Sequence, residues 1–318
     1  MPAVSMSSRP LGSSGPEVSV LSLGSWRTFE RIPPETGTAV LSAAREEGIT
    51  FFDDARYNDE TGTAPIPTGY SEVLFGELFR GAGLRRDGTV VANKLWWEFW
   101  PEQSAAAELD ASLQRMCFDY VDLIYANPPP DGLPVPDLVA ATGALVTAGK
   151  ARAWALVNWP AGQTAEAVAA AAGLGVPPPC AAQLPYSLVQ RSWVEDPAMT
   201  AALAAAGAGV VASFCLAGGV LTSKYRTDAA AGRAAGALAD PRYAAAAAAA
   251  DELAALAARL GTTPAALALA FPLTSPGVTS VLFGATSPEQ LRDNCAAAAL
   301  AARLSPDDLG QLRRIGAG

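Results

Sequence analysis

Short apolar runs alternate with helix-patterned stretches eight times along this chain, and few folds accommodate that order. The runs are Val18–Leu23, Ile49–Phe52, Thr89–Ala92, Tyr120–Tyr125, Arg152–Val157, Ala181–Leu184, Val210–Phe214 and Val278–Phe283. Each is too short for a stable helix and rich in β-prone residues, as buried strands are. Helical spacing appears between them at Glu35–Glu47, Ser71–Arg80, Glu102–Met116, Asp137–Ala148, Ala161–Ala172 and Ala198–Ala206, with two more helices after residue 240. Gly48, Pro101, Gly149 and Gly209 punctuate the joins, where such residues stop an element. Strand-helix alternation of this length predicts an α/β fold, a (β/α)8 TIM barrel. A doubly wound sheet would carry G-x-G-x-x-G after its first strand, and no stretch supplies it. Arg9 to Leu23, turning at Gly12-Ser13-Ser14-Gly15, predicts an N-terminal β-hairpin, and the chain ends in a helix. No linker divides it, so residues 1–318 are expected to form one domain. The Ala/Gly-rich stretch Arg226–Pro241 reads as a loop and Arg242–Leu260 as a helix.

Composition narrows the chemistry. Histidine is absent from all 318 residues, which removes histidine triads, histidine general bases and most catalytic zinc sites. Cys117, Cys180, Cys215 and Cys295 are scattered without a CxxC pair. They are expected as buried free thiols, with no metal site. A net charge of −9 argues against nucleic acid. No apolar run approaches the ~20 residues that span a bilayer, and Met1 to Gly15 lacks the apolar core of a signal peptide. A cytoplasmic location away from membranes is therefore expected.

Active sites of parallel α/β folds lie at the C-terminal tips of the strands, so the residues there are the candidates. The second strand ends in Asp53-Asp54-Ala55-Arg56-Tyr57, an acid and a phenol able to serve proton transfer if a cation lies beside them. The third ends in Lys94, a lone lysine in an apolar run that needs a carboxylate partner if buried. Adjacent strand ends would bring Asp53 to it. Asn127, Asn158 and Gln183 at the next tips complete a polar ring. Trp96, Trp97, Phe99 and Trp100 follow the lysine and read as the wall of an apolar pocket, with Trp26 beside them.

These segments resemble the aldo-keto reductases, most closely the branch of the potassium-channel β-subunits and their bacterial relatives. Asp53-Asp54-Ala55 is similar to the family's DTA strand end, and Lys94 to Trp97 to that branch's K-x-x-W. Ser112 to Asn127 resembles its helix-strand segment, with asparagine where most of the family has histidine. Leu11 to Gly15 and Leu23-Gly24-Ser25-Trp26 resemble its hairpin and first strand, and Gly284 to Asn294 its motif G-A-S-x-x-x-Q-L-x-E-N. The likeness extends from about residue 9 to 315. It implies NADPH as cofactor and hydride transfer to a carbonyl carbon, with Tyr57 as general acid. Lys94 would lower the phenol's pKa, Asp53 would hold Lys94 charged, and Asn127 would donate to the substrate oxygen. It further implies cofactor contacts at Ser25, Trp26, Asn158, Gln183, Phe214, Leu216, Lys224, Gly284, Thr286, Gln290, Asp293 and Asn294. The preference for NADPH over NADH is what the resemblance implies, supported in this sequence by Lys224, Arg226 and Arg292 alone.

The chain also departs from the family. Its tyrosine usually falls five residues after the aspartate, where this sequence has Asn58, and an insertion Glu60–Gly69 precedes Tyr70, the alternative acid. Phe214-Cys215-Leu216 replaces an aromatic residue followed by S-P-L, and Val157 replaces a serine. Asparagine orients a carbonyl but does not titrate, which predicts slow turnover on ordinary aldehydes and tolerance of a cationic cyclic imine. A nucleotide-binding redox sensor with little turnover is the reading from another class. The tryptophans at 26, 96 and 97 suggest a small apolar or aromatic substrate. The sequence leaves oligomeric state open, a homo-oligomer included.

Overall fold

The computed structural model of the protein describes residues 6–222, 224 and 240–317. Arg226 and most of the expected 226–241 loop lie outside the described residues. The core is a closed barrel of eight parallel strands. In chain order they are β3 (Leu21–Gly24), β4 (Phe51–Asp53), β5 (Val90–Leu95), β6 (Val121–Ala126), β7 (Ala151–Val157), β8 (Ala181–Pro185), β9 (Gly209–Ser213) and β10 (Val278–Phe283), and β10 pairs with β3 to close the ring. All eight predicted strands are therefore present, in the predicted barrel.

Side-chain alternation along the strands builds two cores. Phe51, Val90, Ala92, Leu123, Ala153 and Ala155 point into the lumen and pack together, while Phe52, Val91 and Ile124 face the surrounding helices. The same parity carried upward turns Asp53, Lys94 and Gln183 into the top of the lumen. That is where a catalytic group must stand to be reachable from one mouth only.

The N-terminal segment differs from the single strand expected at 18–23. β1 (Ser8–Pro10) and β2 (Glu17–Ser19) form the predicted antiparallel hairpin, and the chain breaks before β3. The Ser19 hydroxyl donates to Leu21 O at 2.6 Å and accepts from Thr50 N at 3.0 Å, side-chain bonds that turn the backbone out of the ladder. Leu11 and Val18 of this hairpin belong to the lumen cluster, so it plugs the lower mouth. Gly12 makes the fit, because with φ at 67° a Cβ there would lie 2.2 Å from Cys180 O.

The crossover helices are α1 (Pro34–Glu46), α2 (Tyr70–Gly81), α3 (Ala105–Met116), α4 (Val135–Thr147), α5 (Ala161–Leu174), and the pair α6 (Ser192–Glu195) and α7 (Pro197–Ala206). Four helices rather than two follow residue 240, namely α8 (Ala244–Arg259), α9 (Pro264–Leu273), α10 (Pro288–Ala301) and α11 (Pro306–Ile315). The extra ends come from cap chemistry: Thr263 and Ser305 each accept a backbone N–H just before a proline at the first helical turn. Among the described residues no single helix is long and apolar enough to cross a bilayer. Three cysteines are buried as free thiols, but Cys117 is exposed, contrary to expectation. It is the left-handed C-cap of α3, at φ 56°, so the backbone turns outward there.

Candidate active site

Parallel register brings the expected acid and base together. Asp53 pairs in register with Ala92, two positions before Lys94, and the Lys94 ammonium donates to Asp53 Oδ1. Both side chains are buried. Gln183, across the lumen on β8, donates from Nε2 to Asp53 Oδ2 at 2.8 Å. Both carboxylate oxygens are thus satisfied, which a buried charge requires. Lys94 Nζ also donates to the Tyr57 hydroxyl at 3.2 Å and lies 5.6 Å from that ring and 5.7 Å from the Tyr125 ring.

The loop after β4 is built to present Tyr57. Gly69 N donates to Tyr57 O at 2.9 Å, and the Ser71 hydroxyl donates to Ala55 O at 2.6 Å while accepting from Tyr57 N at 3.2 Å. The insertion closes on itself between these anchors through the Asn58–Thr68 bridge and the Asp59 carboxylate, which accepts from Thr61 N at 2.8 Å. Tyr70, by contrast, opens α2 and packs against the outer core. It is Tyr57 that stands on Lys94.

Charge balance in this group has a definite sign. Burial pushes the Tyr57 phenol above its ordinary range, and Lys94 pulls it back only in part, so the hydroxyl keeps its proton. The expected lowering by Lys94 is present but smaller than the desolvation. Burial acts to discharge Lys94, yet the Asp53 carboxylate and the Tyr57 oxygen outweigh it and hold the ammonium above its usual value. Asp54 faces the helix side, where its carboxyl accepts from the Ser25 hydroxyl and leaves Oδ2 without a partner among the described residues. Burial, then Glu72 nearby, raises its pKa well above the carboxylate range.

Asn127 follows β6, and its Nδ2 donates to Leu95 O at 3.0 Å, with one N–H left to give. Trp97 Nε1 donates to Asn127 O at 3.1 Å. Trp97 is 2% exposed and lies beneath the rim. Trp26 and Trp96 instead reach a cleft of about 190 Å³ that includes Tyr57. The Tyr57 and Trp96 rings meet edge to face at 6.0 Å. The cleft's remaining lining is polar: Arg56, Asn58, Glu60 and Glu98. Sequence reasoning did not single out Arg56, Glu98 or Glu108. Glu108 accepts from Trp96 N at 2.7 Å and Trp97 N at 3.2 Å and so shapes the wall from α3. A base directly beside the candidate acid was the one signal available for Arg56.

The other expected positions ring the same mouth. Ser25 N donates to Asp53 O at 3.0 Å. Asn158 is exposed just after β7, and its backbone N–H donates to Gln183 O at 3.0 Å. Phe214 follows β9 and stacks on Tyr243 with centroids 6.4 Å apart, while Leu216 is half-buried against the outer core. Trp97, Asn158 and Phe214 hold φ of 57–60° just beyond three strand ends, a region that costs energy for the bulky Trp97 and Phe214 and that asparagine tolerates. Gly284 and Thr286 lead into α10, where the Ser287 hydroxyl caps Gln290 N and Gln290 Oε1 accepts from Thr286 N at 2.7 Å. Asp293 is exposed, and Asn294 is buried with Nδ2 unpartnered among the described residues. Lys224 lies against Gly219, where a Cβ would fall 2.6 Å from its Cε. Arg292 is engaged by Glu46 at 3.1 Å and Glu47 at 3.9 Å.

Comparison with known proteins gives the family of the chain. The model of the Aldo/keto reductase family matches residues 20–317. Two relatives named as probable voltage-gated potassium channel subunit beta, from Arabidopsis thaliana and from Oryza sativa subsp. japonica, are each 30% identical over 325 residues. Each match covers 98% of this chain and 96% of the relative.

Proposed function

The chain belongs to the aldo/keto reductase family, and from that premise we propose that it is an NADPH-dependent reductase of a small carbonyl compound. The observation that carries this reading is the buried sequence of contacts Asp53–Lys94–Tyr57 at the cleft. Tyr57 is the general acid: its proton is retained until a carbonyl oxygen becomes basic, and the ammonium 3.2 Å away stabilises the phenolate that remains. Asp53 and Gln183 keep Lys94 charged and in place. The remaining Asn127 N–H orients the carbonyl oxygen, and Trp96 on the edge of Tyr57 limits water at the acid.

The cofactor supplies the hydride, which no side chain can. The residues that would hold it fit a dinucleotide. α10 presents its N-terminus, with Thr286 just before the cap and Gln290 in the first turn, suited to phosphate, and the buried Asn294 amide has an uncommitted donor among the described residues. Ser25, Trp26, Asn158, Phe214, Leu216 and Gly284 would line the nicotinamide and ribose path, with Asp293 at the adenosine end. Gln183 already serves Asp53, which makes Asn158 the main holder of the carboxamide. Preference for the phosphorylated form is supported by the placement of Lys224 beside Gly219 on the loop after β9, while Arg292 is engaged with α1.

A second reading, a redox-sensing accessory subunit with little turnover, is favoured by two observations. The Asn127 amide cannot titrate and spends a donor on Leu95 O, and the relatives carry channel-subunit names. NADPH oxidation followed optically against aldehydes, ketones, quinones and cyclic imines separates the readings. Turnover that drops by roughly two to four decades in Tyr57→Phe establishes the reductase. Preference for cyclic imines would assign C=N as the bond reduced. Tight NADPH binding with no turnover on any of these compounds would sink the reductase in favour of the sensor. Asn127→His should raise aldehyde turnover by about one to three decades.

A further inference from the structure

We propose that the cleft selects a carbonyl compound that also bears a carboxylate, and that Arg56 is the residue that receives it. This assignment rests on the reductase reading above. The Arg56 side chain is only 4% exposed yet lines the cleft next to Tyr57. Among the described residues its guanidinium makes one hydrogen bond, from Nη2 to Glu98 Oε2 at 2.5 Å, and its buried Nε has no partner. A guanidinium presents a fork of donors matched to a planar carboxylate, and buried donors left unmet destabilise a site until an acceptor arrives. The fork is also held still. It lies over the Phe99 ring at 5.1 Å, so little freedom is lost when an anion docks.

The surrounding charges leave Arg56 as the group that recognises an anion. Glu60, also in the lining, is held by Arg27 and by Arg31 at 3.2 Å, so its charge is already compensated. Glu98 is 45% exposed and holds Arg56 by a single contact. Its carboxylate shows what this guanidinium accepts, and it can turn to solvent when a second carboxylate competes. The tryptophans at 26 and 96 border the same space, which suits a flat aryl group between the acid-binding end and the phenol. Arg56 is thus a specificity-determining residue, and its ligand is an aryl or similarly planar oxo-acid.

The test pairs 4-formylbenzoate with its methyl ester, which removes the charge and keeps the aldehyde and ring. Wild type should favour the acid in kcat/KM by roughly 10- to 100-fold, the range of one charge-assisted hydrogen bond. Arg56→Gln should bring that ratio toward unity, and Glu98→Gln, at an exposed site, should raise it. Benzoate binding, followed by tryptophan fluorescence with NADPH present, gives a readout that needs no turnover. An ester reduced as well as the acid, with the ratio unmoved in Glu98→Gln, overturns the assignment while leaving the reductase intact. Benzoate bound by wild type, lost in Arg56→Gln and tightened in Glu98→Gln, with neither aldehyde reduced, overturns the reductase and keeps the anion site. No acid preference and no benzoate binding removes the assignment outright.

Discussion

At the scale of single residues, two neighbouring acids meet opposite fates because a strand alternates its faces. Asp53 turns into the lumen and finds Lys94 and Gln183, while Asp54 turns outward to Ser25 and the buried Glu72. The pairing of Asp53 with Lys94 was legible in the sequence, since a lysine in an apolar run must find a carboxylate and the adjacent strand tip offers one. The Gln183 contact was not, because it crosses the lumen between residues 130 apart in sequence. Asp54 carries a prediction about stability. Its folded pKa is raised, so between the ordinary carboxylate value and that raised value the native state keeps a proton that the unfolded chain releases. Stability at this residue therefore falls as pH rises through that window. Asp54→Asn should be more stable than wild type in urea unfolding near neutral pH, with the difference shrinking below about pH 4. A difference independent of pH would remove the proton from Asp54. Tyr57 follows the same logic for rate. Because its phenol is raised, carbonyl reduction should stay flat through neutral pH and decline only above about pH 10. A fall in kcat between pH 6 and 8 would assign the acid to another group.

At the scale of elements, the site depends on polar contacts behind the barrel wall. Glu72 of α2 is fully buried and accepts from Arg115 Nε of α3 at 2.5 Å and from Asn93 Nδ2 at 2.8 Å, and Asn93 Oδ1 in turn accepts from Lys94 N at 2.7 Å. The lysine strand is thus fixed by the two helices that flank it. Arg115→Met leaves a buried carboxylate without its cation and should cost about 3 to 5 kcal/mol of stability. Adding Glu72→Gln should recover much of that loss in denaturant melts, and no recovery would mean that Arg115 acts by packing alone. Helix ends after residue 240 escaped the sequence reading for a related reason. Alanine-rich stretches carry little periodic contrast, and the breaks are set by the single capping side chains Thr263 and Ser305. The division of the first strand at Ser19 was hidden likewise, since a serine between valines reads as ordinary alternation.

At the scale of the whole molecule, the barrel separates what stabilises it from what reacts. Eight-fold strand-helix alternation made the architecture legible from the sequence, and the parity of each strand then decided which polar residues meet at the upper mouth. The lower mouth is stoppered by the hairpin, whose Leu11 and Val18 belong to the same lumen cluster as Tyr125 beneath the lysine. Leu11 is fully buried there, and truncating it opens a cavity on the side of the lumen away from the chemistry. Leu11→Ala should therefore cost about 2 to 5 kcal/mol and lower Tm, while kcat measured well below the transition stays at the wild-type value. If kcat falls together with stability, the lumen transmits strain from hairpin to lysine. The two ends of the barrel would then form one coupled unit, because a close-packed interior passes a local displacement to its neighbours.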